Sequence, residues 1–256
     1  LLLPSPWAVV RSFCGLAQTT EFYRSILHTL LRVAAGFAAG MAAGLLAGTL
    51  TAFSRAADVL LTPLKNIIKA TPVTSFIVLI LLYFSSNVTP SAVAFLAVLP
   101  ICWSNVCEGL RQTDKKMTEL AHAYAFGRKK TLREIYFPAV RPYLSAAATT
   151  GLGFAWKSCV AAEVIALSKN SVGRALYESK LYLETAELFA WTASVVLISV
   201  LFEKLLVHKL FKNKNTEGAA GRRSESLEHG HASCEVELQY KSDAYAEYGR
   251  DEERNI

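Results

Sequence analysis

Residues 27–53 read LHTLLRVAAGFAAGMAAGLLAGTLTAF, and Arg32 is the only Lys, Arg, Asp or Glu among them. About 20 mostly apolar residues are enough for an α-helix to cross roughly 30 Å of hydrocarbon. Glycines recur at every fourth position, which puts them on one helix face and leaves that face as bare backbone. The stretch predicts a membrane-spanning helix that a neighbouring helix can approach closely. Its helix-packing residues are Gly36, Gly40, Gly44 and Gly48.

Four more stretches meet the same length criterion, at about 60–84, 88–110, 139–167 and 188–207. The sequence therefore predicts an all-α membrane protein, a polytopic bundle of about five spans. The span at 60–84 is amphipathic at its start and apolar later. Strands are not expected, because the runs are long and lack alternation. With no initiator Met and no cleavable signal segment, we expect an incomplete chain in which residues 1–3 end a missing first span.

Charged residues are distributed unevenly along the 256 residues. Residues 213–256 hold six Lys/Arg and ten Asp/Glu without a packed-core pattern, so we expect a disordered cytoplasmic tail there. Residues 1–212 hold 21 Lys/Arg and 11 Asp/Glu and form the predicted transmembrane domain. This pattern excludes an ordinary cytosolic globule. The five scattered cysteines indicate neither a disulfide framework nor a metal site.

The loop at 111–141, between the third and fourth spans, is strongly basic. It contains eight Lys/Arg against three Asp/Glu. Because Lys and Arg concentrate in cytoplasmic loops, this loop and the C-terminus are predicted to lie in the cytoplasm. Topology thus accounts for the basic balance of the chain, and we expect no nucleic acid among its partners.

Within this loop the pattern predicts two short helices at the membrane surface. The first covers about 116–124, is capped by Asp114 or Thr118, and is broken by Gly127. The second is expected to stop at Pro138. Two short helices suit docking into a groove of a cytoplasmic partner. The alternative is a basic loop that lies on anionic lipid headgroups.

Three ionisable side chains lie in otherwise apolar spans, where a charge is costly and usually functional. Arg32 lies close enough to the start of its span to extend to the outer surface. Lys157 and Glu163 are six residues apart and do not share a helix face. All three are candidates for lining an internal pathway, and for Glu163 a structural ion pair is the open alternative. The stretch GLGFAWKS at 151–158 is not a phosphate-binding loop, because a Trp replaces its second glycine.

The basic loop resembles the cytoplasmic signature of the permease subunits of bacterial binding-protein-dependent ABC importers. That signature is E-A-A-x-x-x-G, then nine residues, then I-x-L-P. Glu119, Leu120 and Ala121 match its opening, and Ile135 and Pro138 match its end.

Two positions depart from this signature. Ala125 stands at its glycine, with Gly127 two residues later, so we expect the turn between the two short helices to be shifted. Phe137 stands at its leucine. The opening LLLPSPWAVV, the segment 28–48 and the run AWKSCVAAEVIAL are similar to the nitrate/sulfonate/taurine-type branch of these permeases. The resemblance covers about residues 1–212.

The resemblance implies a six-span permease subunit of the bacterial inner membrane that performs no chemistry and binds no cofactor. ATP would be bound by a separate ABC ATPase subunit, and a second permease copy, as a homodimer, would complete the pathway. An extracytoplasmic substrate-binding protein would contact the segment 171–187. The coupling residues it implies are Glu119, Leu120, Ala121, Ala125, Gly127, Ile135 and Pro138.

The resemblance also implies a small anion as cargo, such as a sulfonate or nitrate. An ABC permease for another small solute, an amino acid or an osmolyte, is the alternative within transport. Outside transport, the alternatives are a membrane scaffold subunit and a membrane enzyme that uses Lys157 and Glu163.

Overall fold

The computed structural model describes residues 4–211 of the chain. The helical bundle belongs to the compact unit at residues 1–206. The predicted tail at 213–256 lies outside the described residues. Residues 4–211 contain no strand. The helices are α1 (Pro6–Leu16), α2 (Thr20–Phe53), α3 (Arg55–Ala70), α4 (Val73–Tyr83), α5 (Thr89–Arg111), α6 (Lys115–Ala123), α7 (Arg128–Thr131), a π-helical segment (Leu132–Tyr136), α8 (Phe137–Ala166), α9 (Val172–Leu181) and α10 (Thr185–Phe211).

Within the described residues, three helices are long and apolar enough to cross a membrane: α2, α5 and the part of α10 at Thr185–Phe202. The pair α3–α4 makes a fourth candidate if both helices count as one span. Helix α8 has 30 residues but is not among the candidates. Its Lys157, Glu163 and hydroxyl side chains lower its mean hydropathy. A helix packed against other helices does not need an apolar surface all round.

The predicted span at 60–84 is broken into two helices, which remain a candidate span when both are counted together. Helix α3 ends at Ala70 and α4 begins at Val73, with an angle of 103° between them. Thr71 has an extended backbone (φ −77°, ψ 127°), because a residue before proline is disfavoured in the helical conformation and Pro72 follows it. Helix α4 has 11 residues, so its length is only about half of the roughly 30 Å hydrocarbon thickness.

The glycine face of α2 packs directly on α5. Its four glycines are buried, and a Cβ atom added to any of them would lie only 2.4–2.8 Å from the nearest atom of α5. The α5 residues opposite them also recur at every fourth position, so the two helices stay in contact over four turns. The side chains that face the glycines are Ala94, Val98, Cys102 and Val106.

Helix α8 completes the core on the other side of α5. Towards α9, its Trp156 and Cys159 pack with Val98 and Val33. Towards the loop at 111–141, its Val140 and Ala147 join a cluster that includes Cys102, Val106 and Leu110. We call the end of the bundle that carries the 111–141 loop the loop end, and the opposite end the α9 end.

Candidate functional site

The exposed element at the loop end is helix α6. The Asp114 carboxylate accepts a hydrogen bond from the backbone N–H of Lys116 at 2.9 Å, and the Asp114 carbonyl accepts one from Thr118 at 3.3 Å. Asp114 is therefore the cap, and the helix begins before Thr118. A carboxylate in this position satisfies otherwise unpaired N–H groups of the first turn.

The turn after α6 stays at the position of the signature glycine. Ala125 has φ +51°, in the left-handed region, and the N–H of Phe126 donates to the Ala121 carbonyl at 2.8 Å. This six-to-one hydrogen bond is the usual way in which a left-handed residue ends a helix. The predicted shift of the turn towards Gly127 is wrong, because no glycine within residues 4–211 has a positive φ.

The helical path does not stop at Pro138, contrary to the sequence prediction. The N–H of Phe137 donates to the Leu132 carbonyl, a spacing of five residues, and the π-helical segment continues directly into α8. Proline lacks an N–H group and its ring needs room in the preceding turn. The wider π turn provides that room, so the second arm of the loop is continuous with α8.

Helix α6 turns an apolar stripe away from the protein. Met117 and Leu120 of this helix are 50% and 54% exposed. Tyr124, directly after its last residue, keeps the helical spacing through its N–H bond to the Leu120 carbonyl and is 72% exposed. Glu119 is exposed beside them, whereas the Ala121 side chain is buried. Met117 and Tyr124 were not predicted from the sequence, although their spacing from Leu120 (three and four residues) is typical of one helix face.

The two ends of the loop are fastened to each other. A Cβ atom on Gly109 would lie 2.7 Å from Cδ2 of Tyr143, so α5 and α8 approach closely here. The Tyr143 hydroxyl donates to Oε1 of Gln112, and Arg111 pairs with Asp58 of α3 at 2.6 Å. The two arms of the loop are therefore held to each other and to α3.

A buried ion pair joins helices at the α9 end. Glu163 is fully buried and accepts hydrogen bonds from Arg32 Nη1 at 2.9 Å, from the Thr29 hydroxyl at 2.9 Å and from the Gly173 N–H at 3.2 Å. Arg32 also donates to the Lys169 carbonyl at 2.9 Å. Of the two roles left open for Glu163, the structure shows the ion pair, which connects α2, α8 and the start of α9.

Two hydrogen-bond partners of Glu163, Thr29 and Gly173, were not predicted from the sequence. Thr29 lies 134 residues from it in sequence and carries no distinguishing pattern. Gly173 would, with a Cβ atom, come within 2.4 Å of the Glu163 Cβ, so a glycine is needed where α9 meets α8. Lys157 is not part of this cluster. It lines a groove of about 260 Å³ between α8 and α10, together with Thr149, Ser199 and Phe202.

Comparisons with known proteins agree with this architecture. The chain is 27% identical over 220 residues to the putative aliphatic sulfonates transport permease protein SsuC of Bacillus subtilis (strain 168), covering 84% of this chain and 79% of that protein. It is 31% identical over 214 residues to the riboflavin transport system permease protein RibX of Chloroflexus aurantiacus, covering 80% of each. The crystal structure of an amino acid ABC transporter with histidines superimposes with a TM-score of 0.65 at 15% identity, over 83% of this chain and 100% of that one, which shows a shared fold.

The family model for the binding-protein-dependent transport system inner membrane component matches residues 40–208. The match runs from the glycine face of α2 through the loop at 111–141 and into α10, and so includes every element of the loop end. The chain therefore belongs to the family of binding-protein-dependent transport system inner membrane components, the transport permeases of ABC importers.

Proposed function

We propose that α6 is the coupling helix of this permease subunit and docks into a groove of a cytoplasmic ABC ATPase subunit. The observation that carries the proposal is the apolar stripe of Met117, Leu120 and Tyr124 on a helix held at both ends. An amphipathic helix that offers apolar side chains three and four residues apart is a recurrent solution for docking into a groove. Lys129 and Lys130 of α7 are also exposed, and the Lys130 ammonium lies 4.0 Å from the centroid of the Phe126 ring.

The coupling mechanism follows from how the loop is fastened. Closure of the ATPase subunits on ATP would move α6, and the Gly109–Tyr143 contact and the Arg111–Asp58 pair would pass this movement to α5, α8 and α3. A rigid-body switch of this kind needs no nucleotide site in the permease itself. Glu119 and the turn at Ala125 set the position of the docking face, and Ile135 and Pro138 belong to the arm that leads into α8.

The proposed orientation has the loop end and the C-terminus in the cytoplasm, as the concentration of Lys and Arg in the loop favours. The α9 end then faces the substrate-binding protein. Helix α9 and the turn after it expose Leu181, Tyr182 and Leu183, an apolar and aromatic surface suited to a transient protein contact. A second copy of the chain would complete the pathway as a homodimer.

The cargo we propose is a small anion such as a sulfonate. The similarity to a sulfonate permease protein over 84% of the chain supports this class. The second candidate is another small solute, because the riboflavin permease protein has a similar level of identity.

The docking proposal is tested with Leu120→Asp in the tagged chain, co-expressed with its ATPase subunit. A charge at the centre of the stripe should remove the ATPase from the purified complex, because an unpaired carboxylate in an apolar groove is costly. Leu181→Asp is the matched control, an exposed leucine of α9, and should leave co-purification unchanged. An ATPase that remains bound to Leu120→Asp in wild-type amounts would refute the docking proposal.

A second experiment separates docking from coupling. We expect Lys129→Glu with Lys130→Glu, or Glu119→Lys, to leave membrane insertion intact and to permit ATP hydrolysis without uptake. Uptake and hydrolysis are measured on the same proteoliposomes. Unchanged uptake in a complex that carries all three changes would contradict the coupling role of this face.

A further inference from the structure

Helix α3 has its charged face turned towards the bundle and its apolar face turned outwards. Asp58, Lys65 and Lys69 are seven and four residues apart and lie on one stripe. On the other side of the helix, Leu60 and Ile67 are exposed. An amphipathic helix at the edge of a soluble protein has the opposite arrangement. In a membrane protein, inward-facing charges mark a polar interior.

The two lysines approach side chains of α5 that are held in place. The Lys65 ammonium lies 5.7 Å from the centroid of the Trp103 ring, and the Lys69 ammonium is 2.8 Å from the Ser104 hydroxyl. Trp103 is buried, and its indole N–H donates to the Thr51 hydroxyl at 2.9 Å. This hydrogen bond to α2 therefore fixes the orientation of the Trp103 ring, and Lys65 lies next to the fixed ring.

Among the described residues, this pair of cations has no carboxylate as a direct hydrogen-bonded partner. Asp58 lies on the same stripe but is engaged with Arg111 at 2.6 Å. Within the described residues, neither Lys65 nor Lys69 forms an ion pair with an acidic side chain. Beside α5, Lys65 is half-buried and Lys69 is exposed. Two adjacent cations at the edge of a helical bundle attract a mobile anion, because like charges close together are stabilised by a counter-charge.

Both lysines are set back from the loop end along α3. Helix α3 begins at the loop end, where Asp58 meets Arg111, and Lys65 lies two turns, or about 10 Å, further along it. Helices α3 and α4 together form one of the candidate spans, bent by 103° after Ala70. The cations thus lie between the loop end and the break in this span.

We infer that Lys65, Lys69 and the Ser104 hydroxyl form an anion-binding wall of the transport pathway, which takes a small sulfonate- or carboxylate-bearing solute. The inference rests on the proposed function, since it deepens the cargo class of the same permease. The ammonium groups and the hydroxyl donate to the anionic oxygens, and the Trp103 ring contacts the organic part. An anionic lipid headgroup offers the same oxygens, so the experiment separates these two sources.

The test measures binding of radiolabelled methanesulfonate to the permease–ATPase complex in nanodiscs that contain only phosphatidylcholine. We expect Lys65→Met with Lys69→Met to weaken binding about tenfold or more, because charge-assisted hydrogen bonds are lost. Lys65→Arg with Lys69→Arg should retain binding within about threefold, because the charges and donors are kept. Lys180→Met, an exposed lysine of α9, is the matched control and should bind as the wild type does.

A labelling experiment on the wild-type complex needs no variant and therefore does not depend on folding. Methanesulfonate should protect Lys65 and Lys69, but not Lys180, from amine acylation, as read by mass spectrometry. Wild-type affinity in the double Met variant, or an absence of protection, would overturn the inference. A third result would also overturn the inference: methanesulfonate does not bind, and phosphatidylglycerol co-purifies with the wild type but not with the double Met variant. The lysines would then bind a lipid headgroup. Association of the ATPase is measured separately on a sizing column. A failure of the docking proposal can therefore be distinguished from a failure of the anion-binding inference.

Discussion

Replacement of Gly44 by alanine tests the close packing of α2 on α5. The added Cβ atom would lie 2.6 Å from the Cβ atom of Cys102 and 2.9 Å from the carbonyl oxygen of Leu99. Carbon atoms in contact are about 3.5–4.0 Å apart, so the two helices would have to separate by about 1 Å. A change of side-chain rotamer cannot relieve this contact, because both neighbouring atoms are fixed to the α5 backbone.

The expected loss of stability in Gly44→Ala follows from a comparison with a glycine that has space around it. A Cβ atom on Gly153 of α8 would meet nothing within 4 Å. Alanine is favoured over glycine within a helix by about 1 kcal/mol, and this gain applies to both positions. Overpacking by a methyl group costs about 1–3 kcal/mol. We therefore expect Gly44→Ala to be less stable than Gly153→Ala by about 1–3 kcal/mol, and Gly40→Leu or Gly44→Leu to prevent assembly.

The assay is thermal unfolding of both purified alanine variants in the same detergent, followed by a fluorescence-detected sizing column. The gain in helix propensity is the same in both variants and cancels when their stabilities are subtracted. The remaining difference is the cost of the close contact between Gly44→Ala and α5. A Gly44→Ala protein at least as stable as Gly153→Ala would refute the account of this helix pair. Normal complex formation by Gly44→Leu would contradict it as well.

Three further predictions concern other parts of the bundle. Arg32→Met should destabilise the protein by about 3–5 kcal/mol, because it leaves the Glu163 carboxylate buried without its cation. A thermal midpoint within about 1–2 °C of the wild type would contradict this prediction. Gly173→Ala should lower the thermal midpoint as well, since its Cβ atom would come within 2.4 Å of the Glu163 Cβ, and Gly15→Ala, with open space around it, is the control. Ala125→Gly should stabilise the turn after α6 by up to about 1 kcal/mol, because glycine adopts the observed φ of +51° without strain; a loss of stability on thermal unfolding would show that the turn is not strained.

The elements of this fold that follow a simple period could be predicted from the sequence. The four-residue spacing of glycines in α2 indicated a close helix contact before the partner helix was known. Asp114 and the short apolar pattern after it were enough to indicate α6. Local breaks were harder to predict. The predicted span at 60–84 ran through Pro72, although a proline disfavours the helical conformation of the residue before it. Pro138 was expected to end a helix that a π turn allows to continue.

The candidate sites depended on tertiary contacts that no local pattern contains. Arg32 and Glu163 are 131 residues apart, and the rotation of α2 and α8 that brings them together is set by packing over the whole bundle. The direction of the charged face of α3 was equally hidden, because amphipathicity does not specify which face meets the protein. The position of Lys65 over the Trp103 ring shows that the charged face of α3 meets α5.

The proposed coupling mechanism requires that the loop end is cytoplasmic and covered by the ATPase. A single cysteine at position 120, in a chain whose native cysteines are replaced by serine or alanine, measures both properties with a membrane-impermeant maleimide. We predict labelling of Leu120→Cys in inside-out vesicles stripped of the ATPase, protection when the ATPase is added back, and no labelling in right-side-out vesicles. Labelling from the external side, or labelling in inside-out vesicles that added ATPase does not reduce, would contradict the account.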